Sequence, residues 1–157
     1  MPRHYRRLYP SRPRTKYSIE QTAWTVNPAP GATEYVSIVP PSDAQGMRKV
    51  KHLTVSLAFG ASSPMYWAII YVPQGYQVQN PSFPNNESVS GGTPFYPANQ
   101  FIMDSGVLDS QAGPARIHCR QSRNLNSGDQ IYILIGNTSD GSANKVFGHT
   151  SYAIAYT

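Results

Sequence analysis

The chain has 157 residues, with 13 Lys and Arg against 8 Asp and Glu and a formal charge of +5, enough for one domain with a sizeable core. Its one cysteine, Cys119, excludes an intrachain disulfide framework. The densest apolar runs, MYWAIIYV and IYILI, are strand-sized, and the opening residues lack the apolar stretch of a secretory signal, so neither membrane insertion nor secretion is expected.

The charge is unevenly placed. Residues 1–16, MPRHYRRLYPSRPRTK, carry Arg3, Arg6, Arg7, Arg12, Arg14 and Lys16 with no acid, while residues 17–157 carry seven cations and eight acids. Pro2, Pro10 and Pro13 argue against a helix here, and few apolar residues are present to bury, so an extended or disordered arm is predicted. Tyr5 and Tyr9 are interleaved with the cations. Arginines that meet phosphates beside tyrosines that stack on unpaired bases suit single-stranded nucleic acid. A nuclear-import signal, a patch for anionic membrane and a tail with no specific task are the competing readings. The chain divides on this basis into a basic arm, 1–16, and a body, 17–157.

The body reads as all-β, with 14 prolines and 12 glycines in the chain and no long helical periodicity. Strands are predicted over 18–26, 33–39 and 47–59. In the third, Leu53, Val55, Leu57 and Phe59 share one face, and His52, Thr54 and Ser56 take the other. The run 64–72 is apolar on both faces, as a covered central strand would be. Residues 73–99 hold five prolines and a Gly-Gly pair and read as a long loop. Strands over 100–108, 115–121, 129–137 and 146–157 complete a set of eight. That number with mixed connections fits a two-sheet sandwich or jelly roll better than a propeller, with a closed barrel as the alternative.

Two further basic features stand out. Arg48, Lys49 and Lys51 open the third strand. Arg116, His118 and Arg120 alternate, so they share a face, with Ala115, Ile117 and Cys119 toward the core. Each set can meet phosphate, and each reads equally well as a solvated face. Cys119 reads as a small buried hydrophobe. The eleven tyrosines suit either a sandwich core or broad subunit contacts.

The segment MRKVKHLTVSLAF resembles the basic-then-apolar strand of circovirus-type capsid proteins. NQFIMDSGVLDSQAGPARIHCRQSRNLNSGDQIYILIGN is similar to the C-terminal stretch of capsid proteins of small circular single-stranded DNA viruses, where a strand with SG, an SRNLNSGD loop and an apolar strand follow in this order. With the arm, the resemblance touches three separate stretches of the chain. It implies a single eight-stranded jelly roll with a basic, extended N-terminal arm. It also implies self-assembly into an icosahedral shell of 60 copies, location in the virion and, during assembly, the host nucleus, and an inward arm on the DNA genome. The chain is short for such a coat, so reduced inter-strand loops are expected, and its arm is less arginine-dense.

No catalytic residue, metal site or cofactor is expected. Ser, His and Asp are present without a nucleophile elbow, and His4, His52, His118 and His149 lack metal-ligand spacing. Asn137, Asp140 and Asn144 sit in a polar turn without calcium-loop spacing. The rival functions are a carbohydrate-binding sandwich and a single-strand-binding β-barrel that forms no shell.

Overall fold

A computed structural model describes residues 16–60, 64–78, 101–109, 114–138, 141 and 143–156. Nine strands form two antiparallel sheets: β1 (Ser18–Val26), β2 (Thr33–Val39), β3 (Arg48–Phe59), β4 (Met65–Val72), β5 (Phe101–Leu108), β6 (Ala115–His118), β7 (Arg123–Leu125), β8 (Gln130–Asn137) and β9 (Val146–Tyr156). The first sheet runs β1-β9-β3-β6, with β7 also paired to β3. The second runs β2-β8-β4-β5. Successive strands alternate between sheets over the first four, so the core is closed by contacts distant in sequence. The arm expected over 1–16 lies outside the described residues except for Lys16, as does most of the loop expected over 73–99.

The predicted strand of 115–121 is shorter than expected. It ends at His118, and β7 rejoins the same edge of β3 after a break at 119–122. The break faces an irregularity in β3, where the register on β9 shifts between Lys51 and Thr54. His52 lies there at φ 54°, in the left-handed region that costs a non-glycine residue about 1 kcal/mol or more. The cause is visible in burial. Arg48 and Val50 face inward, and so do Leu53, Val55 and Leu57. Strict alternation cannot satisfy both sets, so one extra residue is inserted between them as a β-bulge. Cys119 N–H bridges the gap by donating to Leu53 O at 2.9 Å.

The core lies between the sheets. Val55, Leu57, Ile117 and Ile154 from the first meet Ile69, Met103, Ile131 and Ile133 from the second. β4 has the predicted two-sided burial, because Ala68, Ile70 and Val72 form a second cluster with Leu134 on the outer face of its sheet. Cys119 is buried, and burial raises its thiol pKa.

Each sheet also holds a tryptophan opposite a glycine. Trp24 pairs with Gly148 across β1 and β9, and Trp67 with Gly106 across β4 and β5. Each indole lies over its glycine. A Cβ at Gly148 would stand 2.1 Å from Trp24 Cζ2, and one at Gly106 3.0 Å from Trp67 Cζ2. Trp24 Nε1–H donates to Thr150 Oγ1 at 2.9 Å, so the buried indole nitrogen is satisfied while its ring covers the neighbouring strand.

Gly148→Ala is therefore expected to destabilise the fold by about 3 kcal/mol, the upper range for overpacking. Urea unfolding followed by tryptophan fluorescence measures it; an unchanged midpoint contradicts the close approach.

Candidate nucleic-acid interface

The expected phosphate ligands fall into three groups. Arg3, Tyr5, Arg6, Arg7, Tyr9, Arg12 and Arg14 lie outside the described residues. Lys16, Arg116 and Arg120 are exposed, and Lys49 and Lys51 are half-buried on β3. Arg48 departs from the expectation. It is 4% exposed, and its guanidinium is turned inward, donating from Nη1 to Pro40 O and from Nη2 to Asp129 O, both at 3.0 Å. Its donors are committed to carbonyls of the second sheet's connections, so it is a structural cation and not a phosphate ligand.

Asp129 is the centre of that arrangement. Its Oδ2 accepts from Tyr71 Oη at 2.7 Å and from Asn126 N–H at 2.8 Å, and its Oδ1 accepts from Gln74 N–H at 3.0 Å. The turn Asn126–Asp129 closes with Asp129 N–H on Asn126 O, and Gly128 supplies φ 78°. Burial first, then the hydrogen bond to Asp129, pushes the Tyr71 hydroxyl up to about 12. Arg123, on β7, lies over the rings of Tyr71 at 4.4 Å and Phe101 at 5.2 Å, closing the edge where β7 meets β4 and β5. Its stacking on two aromatics of the other sheet had no local signal in the sequence.

Arg116 and His118 project from β6 onto the outer face of the first sheet, as alternation requires. Register sets Arg116 opposite Ser56, which is opposite His149, and His118 opposite Thr54, which is opposite Ser151. This face is built mostly from small or hydroxylated side chains, with cations and histidines spaced across it. Lys51 Nζ lies 5.2 Å from the ring of Tyr17, so the root of the basic segment rests against β3.

The two sheets differ in charge. After Lys16, the described cations are Arg48, Lys49, Lys51, Arg116, Arg120, Arg123 and Lys145. All lie on strands of the first sheet or in segments leading into them. The strands of the second sheet contain no Lys or Arg, whereas Glu34 and Asp104 lie on them; Asp43, Asp109 and Asp129 lie between strands of the two sheets. Glu20, on β1, accepts from Tyr152 Oη at 2.7 Å.

Among the described residues no group of His, Cys, Asp and Glu could hold a metal ion. Asn137 and Asn144 serve the fold. Asn144 Nδ2 donates to Asn137 Oδ1 at 3.1 Å, and Asn137 Nδ2 to Pro28 O at 3.0 Å. Asp140 lies outside the described residues. No described helix is long and apolar enough to cross a membrane.

No family model and no curated protein matches the chain. Among solved structures it is similar to Bacillus endospore appendages described as disulfide-linked pili, at 14% identity over 90% of each chain and a TM-score of 0.35. It is also similar to T=1 particles derived from infectious bursal virus, at 11% identity over 96% of this chain and 44% of that one, with a TM-score of 0.28. The Gt strain of infectious bursal disease virus gives 11% identity over the same shares and 0.26. The chain thus spans less than half the length of those viral chains. Likenesses this distant carry no weight on function.

Arg48→Ala is expected to cost about 3 kcal/mol, because it leaves two carbonyls and the neighbourhood of a buried carboxylate uncompensated. Arg120→Ala, on the surface, should stay within about 0.5 kcal/mol. Urea midpoints of the two variants separate the buried cation from the exposed one. The raised Tyr71 and Tyr152 hydroxyls give a second expectation. Their stabilising effect is complete below about pH 10, where tyrosine in the unfolded chain starts to ionise, and is lost as pH rises toward about 12. Midpoints at pH 8, 10 and 11 should fall progressively, and less steeply in Tyr71→Phe.

Proposed function

We propose that the protein is a viral coat protein of the circovirus type, and that it packages single-stranded DNA against the first sheet and the basic arm. The observation that carries this reading is the charge polarity. The segment with six cations in residues 1–16 leads directly into β1, and β1 belongs to the sheet that holds the described cations of the body. A shell subunit needs such a division, with one face toward a polyanion and the other free of cations.

The strand order supports a jelly roll. With β6 and β7 taken as one interrupted strand, the sheets read 1-8-3-6 and 2-7-4-5 over eight strands, each partner of one sheet followed by its counterpart in the other. Such a body assembles in this reading into an icosahedral shell of 60 copies and resides in the virion, with the arm's charges also available for nuclear import. Many weak phosphate contacts, repeated in every copy, become collectively strong. Sequence reading is not required, and no described element is a base-reading helix. The protein has no catalytic role in this reading.

Two measurements test it. Light scattering and electron micrographs of the purified protein should show closed particles; monomers or dimers at every salt and pH overturn the shell. Binding of single-stranded oligonucleotide below the assembly concentration should show a log–log salt slope of about −4 from six arm contacts, each contributing about −0.7. Deletion of residues 1–16 should abolish most of that slope, and equal slopes for the intact and deleted chains remove the arm from the mechanism.

A further inference from the structure

The bulge in β3 and the break between β6 and β7 leave a hollow of about 340 Å³ on the first sheet. Lys51, His52, Thr54, His118, Arg120 and Ser122 line it, over a floor of Leu53 and Cys119. We propose that this hollow is a binding site for a phosphodiester group of single-stranded nucleic acid, the first fixed contact of the strand beyond the arm. The inference rests on the coat-protein reading for the identity of its ligand and on geometry for its existence.

The lining has the chemistry of an oxyanion site. Two permanent cations, two imidazoles and two hydroxyls surround the hollow, and no carboxylate lines it. Asp104, on β5, is the acid whose field reaches the floor at Cys119. Thr54 Oγ1 stands 3.0 Å from His118 Nδ1 and 3.4 Å from His52 O. In the imidazolium form His118 donates from Nδ1 to Thr54, Thr54 donates to the His52 carbonyl, and Nε2–H is left to donate to a ligand. The hydrogen bond therefore orients the ring before any ligand arrives. His52 itself has the left-handed backbone of the bulge and lines the hollow.

Position argues for a strand of nucleic acid over a free anion. Tyr17, which follows the basic segment in sequence, lies against Lys51 of the hollow. A neighbouring hollow, lined by Lys49, Tyr71, Ser122, Arg123 and Asn124, shares Ser122 with the first. A chain of phosphates leaving the arm thus meets cations in succession at Lys51 and Arg120 and then at Lys49 and Arg123. Tyr17, 39% exposed, offers a ring for stacking at the point of entry.

The test uses the full-length protein, kept unassembled by dilution, with ring signals of His52 and His118 followed by NMR. Inorganic phosphate and a short oligothymidylate should each shift both rings saturably, the oligonucleotide at far lower concentration. Lys51→Gln with Arg120→Gln should reduce the oligonucleotide salt slope by about 1.4, two contacts of about 0.7 each, with the arm intact. Glu34→Gln, on the second sheet and away from the hollow, should leave the slope unchanged. Unshifted rings together with an unaltered slope in the double variant overturn the site while leaving the coat reading in place. Shifts with phosphate in a protein that never assembles support the site and overturn the shell. Rings that respond to a sulfated oligosaccharide and not to oligonucleotide overturn the nucleic-acid assignment. The ring titrations are made on the wild type, so they decide the matter even where the double variant fails to fold.

Discussion

The hydrogen bonding around Asp129 is the constraint from which the rest of the basic surface follows. A carboxylate 3% exposed is tolerable only when its oxygens are filled, and here a tyrosine hydroxyl and two backbone N–H groups fill them. Arg48 completes the arrangement through the Asp129 carbonyl and ties the first sheet to the connections of the second. Inward placement of Arg48 fixes the phase of the opening of β3. The apolar run Leu53, Val55 and Leu57 fixes the opposite phase only a few residues later. The bulge reconciles the two, and the facing edge breaks at 119–122 to accommodate it. A buried structural cation thereby produces an exposed concavity lined by other cations.

Strand positions were largely legible in the sequence because they depend on local alternation. The runs at 18–26 and 33–39 have the predicted bounds, and the inner face of β3 contains the predicted Leu53, Val55 and Leu57. What could not be read depends on partners distant in sequence. Arg48 stands beside Lys49 and Lys51 and shares their composition; its burial follows from Asp129, 81 residues away. The end of β6 at His118 answers a bulge in another strand, and nothing in ARIHCRQ marks it. The tryptophan–glycine pairs had a partial signal, since an isolated glycine in a strand indicates close approach, but the indole that comes close is named only by register.

Net charge conceals the property most relevant to a polyanion. Residues 17–157 carry seven cations and eight acids, and by that measure the body is indifferent to nucleic acid. Apart from Glu20 on β1, the acids that lie on strands are on the sheet opposite the cations, and screening at physiological salt confines each charge to about 8 Å. A phosphate close to the first sheet meets Lys51, Arg116 and Arg120 before it meets Glu34 or Asp104. The segregation could not be taken from the sequence, where Arg116 and Asp109 are near neighbours. It follows from strand order, which sends β5 to one sheet and β6 to the other. The topology that closes the core is therefore also what gives a near-neutral body an uneven charge.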